Sequence, residues 1–474
     1  MRLLTARLLV FGTSAAVLVL EILAGRLMAP YVGVSLETFT GIIGVILLGI
    51  AAGTAVGGRL ADQFDPSTLL GPALIIGGVL SWWSLWIVHA IGPELGRGIP
   101  AIVVLASVAF VAPAAVLSAV SPMVAKLRLQ SLEETGTVVG GLSAWGTAGA
   151  LFGVFVTGFV LVAAMPTSPI VIGLGALLVV VGLAYAFAAE GRRPSMSLGL
   201  VVLVSFGVGV SAQSPCDFES AYFCGRVVVD PDDESVRFLV LDDLTHAAAD
   251  LDDPTNLPIR YIRLLAAALD DRPAGPLDVV HIGGGGFSIP RYLDTVRPGG
   301  TDLVLEIDDE LLDVARDELG FEPGPGTEVE VGDARLALVD ESDDTADVVV
   351  GDAFGGAAVP WHLTTREFIE EIDRVLTPRG VYLMNVIDGG DNDFAEWMVA
   401  TLAERFAHVE IIEPVDGVGA RAVNQVLLAS QQPIDRFDVG DDGRWVEDPD
   451  AMADRGRVLT DDFAPVDRLL SGVN

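Results

Sequence analysis

Three carboxylates and a run of glycines hold most of the chemistry legible in this 474-residue chain. The stretch VVHIGGGGFSIPRYL, Val279 to Leu293, sets four consecutive glycines between an apolar run and a helical pattern. Gly283 and Gly285 let the backbone turn tightly and come close to a ligand. Glu306 ends the next apolar run about 20 residues beyond Gly285, the spacing at which a carboxylate meets ribose hydroxyls in dinucleotide-type sites. Ser288 takes the place of the third glycine of G-x-G-x-x-G. EVEVGDARLAL puts Asp333 just after a further apolar run, in reach of an adenine amino group, and ADVVVGDAFGG puts Asp352 at the end of another.

The elements that must position these groups alternate strand and helix. LDVVHIGGGG, TDLVLEID, EVEV and ADVVVG read as strands, with FSIPRYLDTV and DELLDVARDELG as helices between them. That order implies an α/β domain with a Rossmann-like, methyltransferase-type parallel sheet. Each carboxylate alone is matched by many solvated loop acids in so acidic a chain. Their common place at the carboxyl ends of successive strands, where open parallel sheets bind ligands, singles them out.

Composition splits the chain. Residues 1–212 hold nine Lys or Arg against eight Asp or Glu, and residues 213–474 nineteen against fifty-six, giving +1 and −37. The first part contains seven apolar runs, near 8–29, 38–57, 69–91, 99–123, 137–163, 169–188 and 195–212. Most approach the ~20 residues that cross a bilayer, and the last is the shortest. The expected organisation is a seven-span α-helical membrane domain (1–212), a small β region (213–250) and a nucleoside-binding α/β domain (251–474). Glu21 and Arg26 are ionisable groups in or at the end of the first span, open to pairing, snorkelling or a substrate role. The loop GGRLADQ, Gly57 to Gln63, resembles the short cytoplasmic loop of major facilitator transporters, but seven spans are too few for that fold.

Arg2, Arg7, Arg59, Lys126, Arg128, Arg192 and Arg193 fall on one side of seven spans, against Arg97 and Arg26 on the other. Charge bias therefore makes the amino terminus cytoplasmic and sends the acidic domain outside. Cys216 and Cys224, the only cysteines, stand at a spacing that permits pairing, with two free thiols equally open. Lys126 is the only lysine, and acids recur in every loop, a surface suited to concentrated salt and hence to a halophile. Acidity spread so evenly says nothing about a cationic substrate.

From about Tyr222 to Leu428 the chain resembles the spermidine synthase family of aminopropyltransferases, and as a whole it resembles that family's membrane-fused branch. The resemblance rests on Gly283 to Gly285, on Glu306 as the ribose carboxylate, on Asp333 as the adenine contact and on Asp352 as the catalytic aspartate. Tyr261 in IRYIRLL matches the family's tyrosine, and YFCGRVVVD with VRFLVLDD its amino-terminal β region. It implies transfer of an alkyl group from an adenosyl-sulfonium donor, S-adenosylmethionine or its decarboxylated form, to an amine. Asp352 would take or orient the amine's proton and Tyr261 would position the amine, with no metal and no nucleic acid involved.

Departures bear on substrate. The family's aspartate for the donor amine is here Gly286, its second loop aspartate Gly355, the histidine beside its tyrosine Ile262, and its β-region glutamine His246. Three functions follow: a polyamine aminopropyltransferase, a transferase acting on a lipid, lipoprotein or other membrane-held acceptor, and a noncatalytic nucleoside-binding or assembly module. His246, Trp361 and His362 are the substrate-pocket candidates, the latter two in VPWHLTTREF beside the site. Soluble relatives imply a homo-oligomer. Because adenosylmethionine is a cytoplasmic metabolite, donor supply narrowly favours a cytoplasmic catalytic domain at the cell membrane, against the charge bias.

Overall fold

The computed structural model describes residues 1–96, 98–129, 135–190, 196–212, 214–389, 392–415 and 423–470. Arg97, Arg192 and Arg193, three of the cations used to orient the spans, lie outside the described residues. The chain divides into two compact units, Met1–Gly225 and Arg226–Asn474.

All seven apolar runs of the first unit are helical. They form α1 (Leu3–Val32), α2 (Leu36–Gln63), α3 (Pro66–Ile91), α4 (Ile99–Ser118) continued by α5 (Val120–Arg128), and α6 (Thr135–Val156), extended through a π-helical turn. The helices Thr167–Glu190 and Met196–Ser211 follow. Six segments are long and apolar enough to cross a membrane, where seven spans were expected. The seventh helix has 16 residues and rises about 24 Å, short of the ~30 Å hydrocarbon core. Leu47, Val104, Phe155 and Leu203 stay exposed, as lipid-facing side chains must.

Helices this apolar pack through close backbone approach, as they would in a bilayer, where hydrophobicity cannot drive them together. Gly49, Gly53 and Gly57 form a stripe along α2 that meets Val111, Ala115 and Ala119. A Cβ at Gly53 would run into the Ala115 backbone, which cannot rotate aside. Gly53→Leu should therefore destabilise the bundle by about 1–3 kcal/mol or more through overpacking. Ala55→Leu, on the exposed face of the same helix, should be neutral, and thermal unfolding in detergent compares them.

Beyond the last helix the chain is stapled. A disulfide joins Cys216 to Cys224, with Cα atoms 5.3 Å apart, deciding between the two states the sequence left open. It closes a two-residue antiparallel ladder between β1 (Phe218–Glu219) and β2 (Cys224–Val229). Arg26 does not snorkel: its Nη1 and Nη2 donate to the carbonyls of Ala221 (2.7 Å) and Ser220 (2.5 Å), and its Nε to Thr167 Oγ1 (3.3 Å). Glu21 lies half-buried in the same helix.

In the second unit, β3 (Val236–Leu241) and β4 (Leu244–Asp250) form an antiparallel hairpin. A larger sheet contains β5 (Asp278–Ile282), β6 (Thr301–Glu306), β7 (Thr327–Val331), β8 (Ala346–Gly351), β9 (Leu376–Asp388), β10 (His408–Pro414), β11 (Val423–Ser430) and β12 (Gly443–Trp445). Their order is β7-β6-β5-β8-β9-β11-β10-β12. β5 to β8 are parallel, as the alternation of elements predicts, and β9 joins them in the same direction, whereas β10, β11 and β12 add an antiparallel edge. Near-continuous burial of β5, β8 and β9 fits a sheet covered on both faces. The chain moves outward from β5 to β7 and then returns to β8 on the other side of β5. The crevice at the carboxyl ends of β5 and β8 is thus the topological switch point, where such sheets bind ligands.

Candidate active site

The glycine run bridges β5 to the helix Ser288–Val296. Gly283 has φ +93°, and a Cβ there would lie 2.6 Å from the Asp352 carbonyl, so this glycine lets the exits of β5 and β8 pass each other. Gly285, at φ +50°, has open space beside it. Phe287 also takes a left-handed conformation, at φ 53°, held by burial and by stacking on Phe321 at 4.3 Å. Ser288 donates through Oγ to the Ala248 carbonyl of β4 at 2.8 Å, tying the turn to the hairpin where a third glycine was expected.

Glu306 holds this turn together. Its Oε2 accepts from the backbone N–H groups of Gly284 (2.7 Å) and Gly285 (3.0 Å), and its Oε1 from Asp308 N (2.9 Å). The side chain is only 5% exposed, so the carboxylate proposed for ribose is also the scaffold of the loop. Asp333 caps the helix Ala334–Asp340 through Arg335 N at 2.9 Å and faces His362 Nε2 at 3.4 Å. His362 therefore stands at the Asp333 end of the crevice. Trp361, half exposed, packs edge-on against it at 5.8 Å.

Asp352 follows β8 and forms a separate cluster. Its Oδ1 accepts from Asn385 Nδ2 at 2.7 Å and its Oδ2 from the Tyr261 hydroxyl at 3.1 Å. The same hydroxyl lies 2.9 Å from the His246 carbonyl. Burial pushes the Asp352 carboxyl up to about 7, against the downward pull of the bonds from Asn385 and Tyr261. The Tyr261 phenol is raised well above its ordinary value by burial first and by the neighbouring Asp352 charge second, so it acts as a donor and not as a base. Burial likewise lowers His246 to about 4, leaving a neutral imidazole whose backbone carbonyl, on β4, faces the cluster.

Asn385 was not read from the sequence. It sits in β9, 1% exposed, and Asn424 of β11 donates to its Oδ1 at 3.0 Å, fixing the amide so that its NH₂ points at Asp352. The signal was a lone polar residue inside the buried run VYLMNVI. Gly286 explains one departure in space. A Cβ there would collide with Ala247 of β4, so the hairpin fills the room a side chain would need.

Asp333→Ala separates capping from ligand contact. It should cost about 1 kcal/mol of stability through the lost cap, and about 1–3 kcal/mol of methylthioadenosine affinity if the carboxylate meets the base. Unfolding and calorimetry measure the two independently, and unchanged affinity removes Asp333 from the nucleoside site.

Two curated relatives share part of the sequence. The polyamine aminopropyltransferase of Vibrio vulnificus is 34% identical over 127 residues, 26% of this chain and 42% of the relative. That of Chromobacterium violaceum is 32% identical over 143 residues, 29% of this chain and 53% of the relative. The chain thus spans about half the length of the curated relatives it matches. Among solved structures, a probable spermidine synthase from Corynebacterium glutamicum is 26% identical, with a TM-score of 0.44, covering 51% of this chain and 88% of that one. No protein-family model matches the chain. The chain is thus similar to polyamine aminopropyltransferases over part of its length, and its first unit carries six segments long and apolar enough to cross a membrane among the described residues.

Proposed function

We propose that this protein is a membrane-bound transferase that moves an alkyl group from an adenosyl-sulfonium donor to an amine. The observation that carries the reading is the Asp352 cluster: a carboxyl shifted to about 7, gripped on both oxygens by Tyr261 and Asn385, at the switch point of a nucleoside-type sheet. An amine attacks only when unprotonated, and a base titrating near neutrality takes its proton effectively. As the C–N bond forms and the donor's C–S bond breaks, the sulfonium becomes a neutral thioether and the amine proton passes to Asp352. Gly283, Gly285, Glu306 and Asp333 would hold the adenosine, and His362 would line the base end beside Asp333.

A polyamine acceptor and a decarboxylated donor follow from the aminopropyltransferase relatives. A second reading, alkylation of a lipid, lipoprotein or other membrane-held amine, draws on Gly286. With Ala247 against that position, Gly286 supplies no carboxylate where the family's pattern has an aspartate for the donor's amine. Mass spectrometry of purified protein in high salt, given each donor with putrescine or with native lipid extract, distinguishes them. Donor-dependent methylthioadenosine with an aminopropylated amine supports the first reading, and S-adenosylhomocysteine with a methylated lipid or protein the second. No thioether nucleoside from either donor, with nucleoside binding intact, would leave a noncatalytic binding module.

A further inference from the structure

We infer that the Asp352 unit works on the non-cytoplasmic side of the membrane. Three observations within the first unit converge on this. They concern which end of the helical bundle the chain leaves from, which end carries the cations, and what the two cysteines do there.

The last helix packs along α3. Leu198 and Val202 pack with Ile75 and Val79 of α3, while Ser205 Oγ accepts from Trp83 Nε1 at 3.2 Å and Phe206 meets Trp82 at 5.3 Å. The helix Thr167–Glu190 runs antiparallel to α3, with Gly71 against Gly182 and Ala186 and Gly78 against Gly175, so it ends beside the start of α3. Met196–Ser211 sets out from that end and runs parallel to α3, reaching Trp82 with Gly209. The segment beyond it is then fixed at the opposite end, because Arg26 near the end of α1 donates to the Ser220 and Ala221 carbonyls. Glu219 Oε2 accepts from Thr167 N at the start of the neighbouring helix, 2.8 Å away. The short seventh helix is thus completed by the stapled segment, which sits over the bundle's end, and the chain exits opposite its amino terminus.

The opposite end gathers the cations. Lys126 pairs with Asp62 at 2.6 Å, and Arg128 Nη1 donates to the Met1 carbonyl at 3.1 Å. These contacts bring the start of α1, the end of α2 and the end of α5 together, with Arg2, Arg7 and Arg59 on the same segments. Five Lys or Arg stand there, against Arg26 alone at the exit end among the described residues. Positive charge marks the cytoplasmic end of a bundle. The Cys216–Cys224 disulfide stands at the exit end, and structural disulfides persist in oxidising compartments and not in the cytosol. Geometry, charge and redox state therefore agree, against the supply of donor and the shortness of the last helix, which argued for the cytoplasm. Joined to the transferase reading, on which this consequence rests, the location makes the acceptor an amine presented outside the cytoplasm.

Accessibility labelling of the full chain in intact cells tests this without reference to activity. Ser342→Cys, at an exposed position of the second unit, and Gln63→Cys, at the exposed end of α2, are treated with a membrane-impermeant maleimide without reductant. The native pair stays silent as a disulfide. We expect Ser342→Cys to label in intact cells and Gln63→Cys only after permeabilisation. In acid-quenched, denatured cells the parent protein should show no free thiol until it is reduced. Labelling of Ser342→Cys only after permeabilisation, or free Cys216 and Cys224 in quenched cells, overturns the inference and leaves the transferase reading to the product assay.

Discussion

Asp352→Asn should reduce turnover by about 100-fold or more while leaving nucleoside binding intact. Asparagine keeps the shape and can accept a bond from Tyr261, at the loss of the bond from Asn385, whose NH₂ would then face the new NH₂; what disappears from the chemistry is basicity. In the parent protein the rate should rise with pH through about 7, as the raised carboxyl ionises, and the variant should lose that limb. Stability should move the other way. A carboxyl whose folded pKa lies above its unfolded value destabilises the native state as pH rises from about 4 towards 7. The asparagine variant should lose the parent's fall in stability between about pH 4 and 7, so its melting temperature should gain on the parent's as pH rises, on top of a pH-independent loss from the missing Asn385 bond. Product formation and unfolding across pH 4–9 read both effects. Full turnover in the variant would exclude Asp352 as the base.

Glu306→Ala should be the most damaging change at the nucleoside end. It removes a buried carboxylate that three backbone N–H groups share, and bonds to a charged group are worth about 1.5–3 kcal/mol each, less in sum when they act together. We expect a loss of about 3 kcal/mol or more in stability, with methylthioadenosine binding falling below detection because the glycine turn is no longer held. Glu306→Gln retains an acceptor oxygen and should recover part of the stability. Urea unfolding with calorimetry checks the pair. An alanine variant as stable as the parent would show that the turn does not depend on Glu306.

The sequence by itself determined the two environments of this chain and the register of its nucleoside edge. Run lengths and charge counts separate a bundle turned to lipid from a hydrated acidic unit, because bilayer and water impose opposite compositions. The alternation of strands and helices implied the parallel β5–β8 core, and it put Gly283, Glu306, Asp333 and Asp352 at one edge, because parallel strands all end on the same side. Those relations depend on periodicity, which is local.

Only the tertiary structure decided what required distant segments to meet. Tyr261 reaches Asp352 across the fold, and Asn385 becomes a partner because β9 lies beside β8 in the sheet. Trp361 and His362 are close to Asp352 in sequence, yet His362 stands by Asp333, since the chain after β8 turns back over the sheet edge. The antiparallel strands β10 to β12 follow no rule visible in their own residues, because buried strands of either direction are equally apolar. The pairing of Cys216 with Cys224 and the capture of their loop by Arg26 depend on a hydrogen-bond geometry that spacing permits but does not choose.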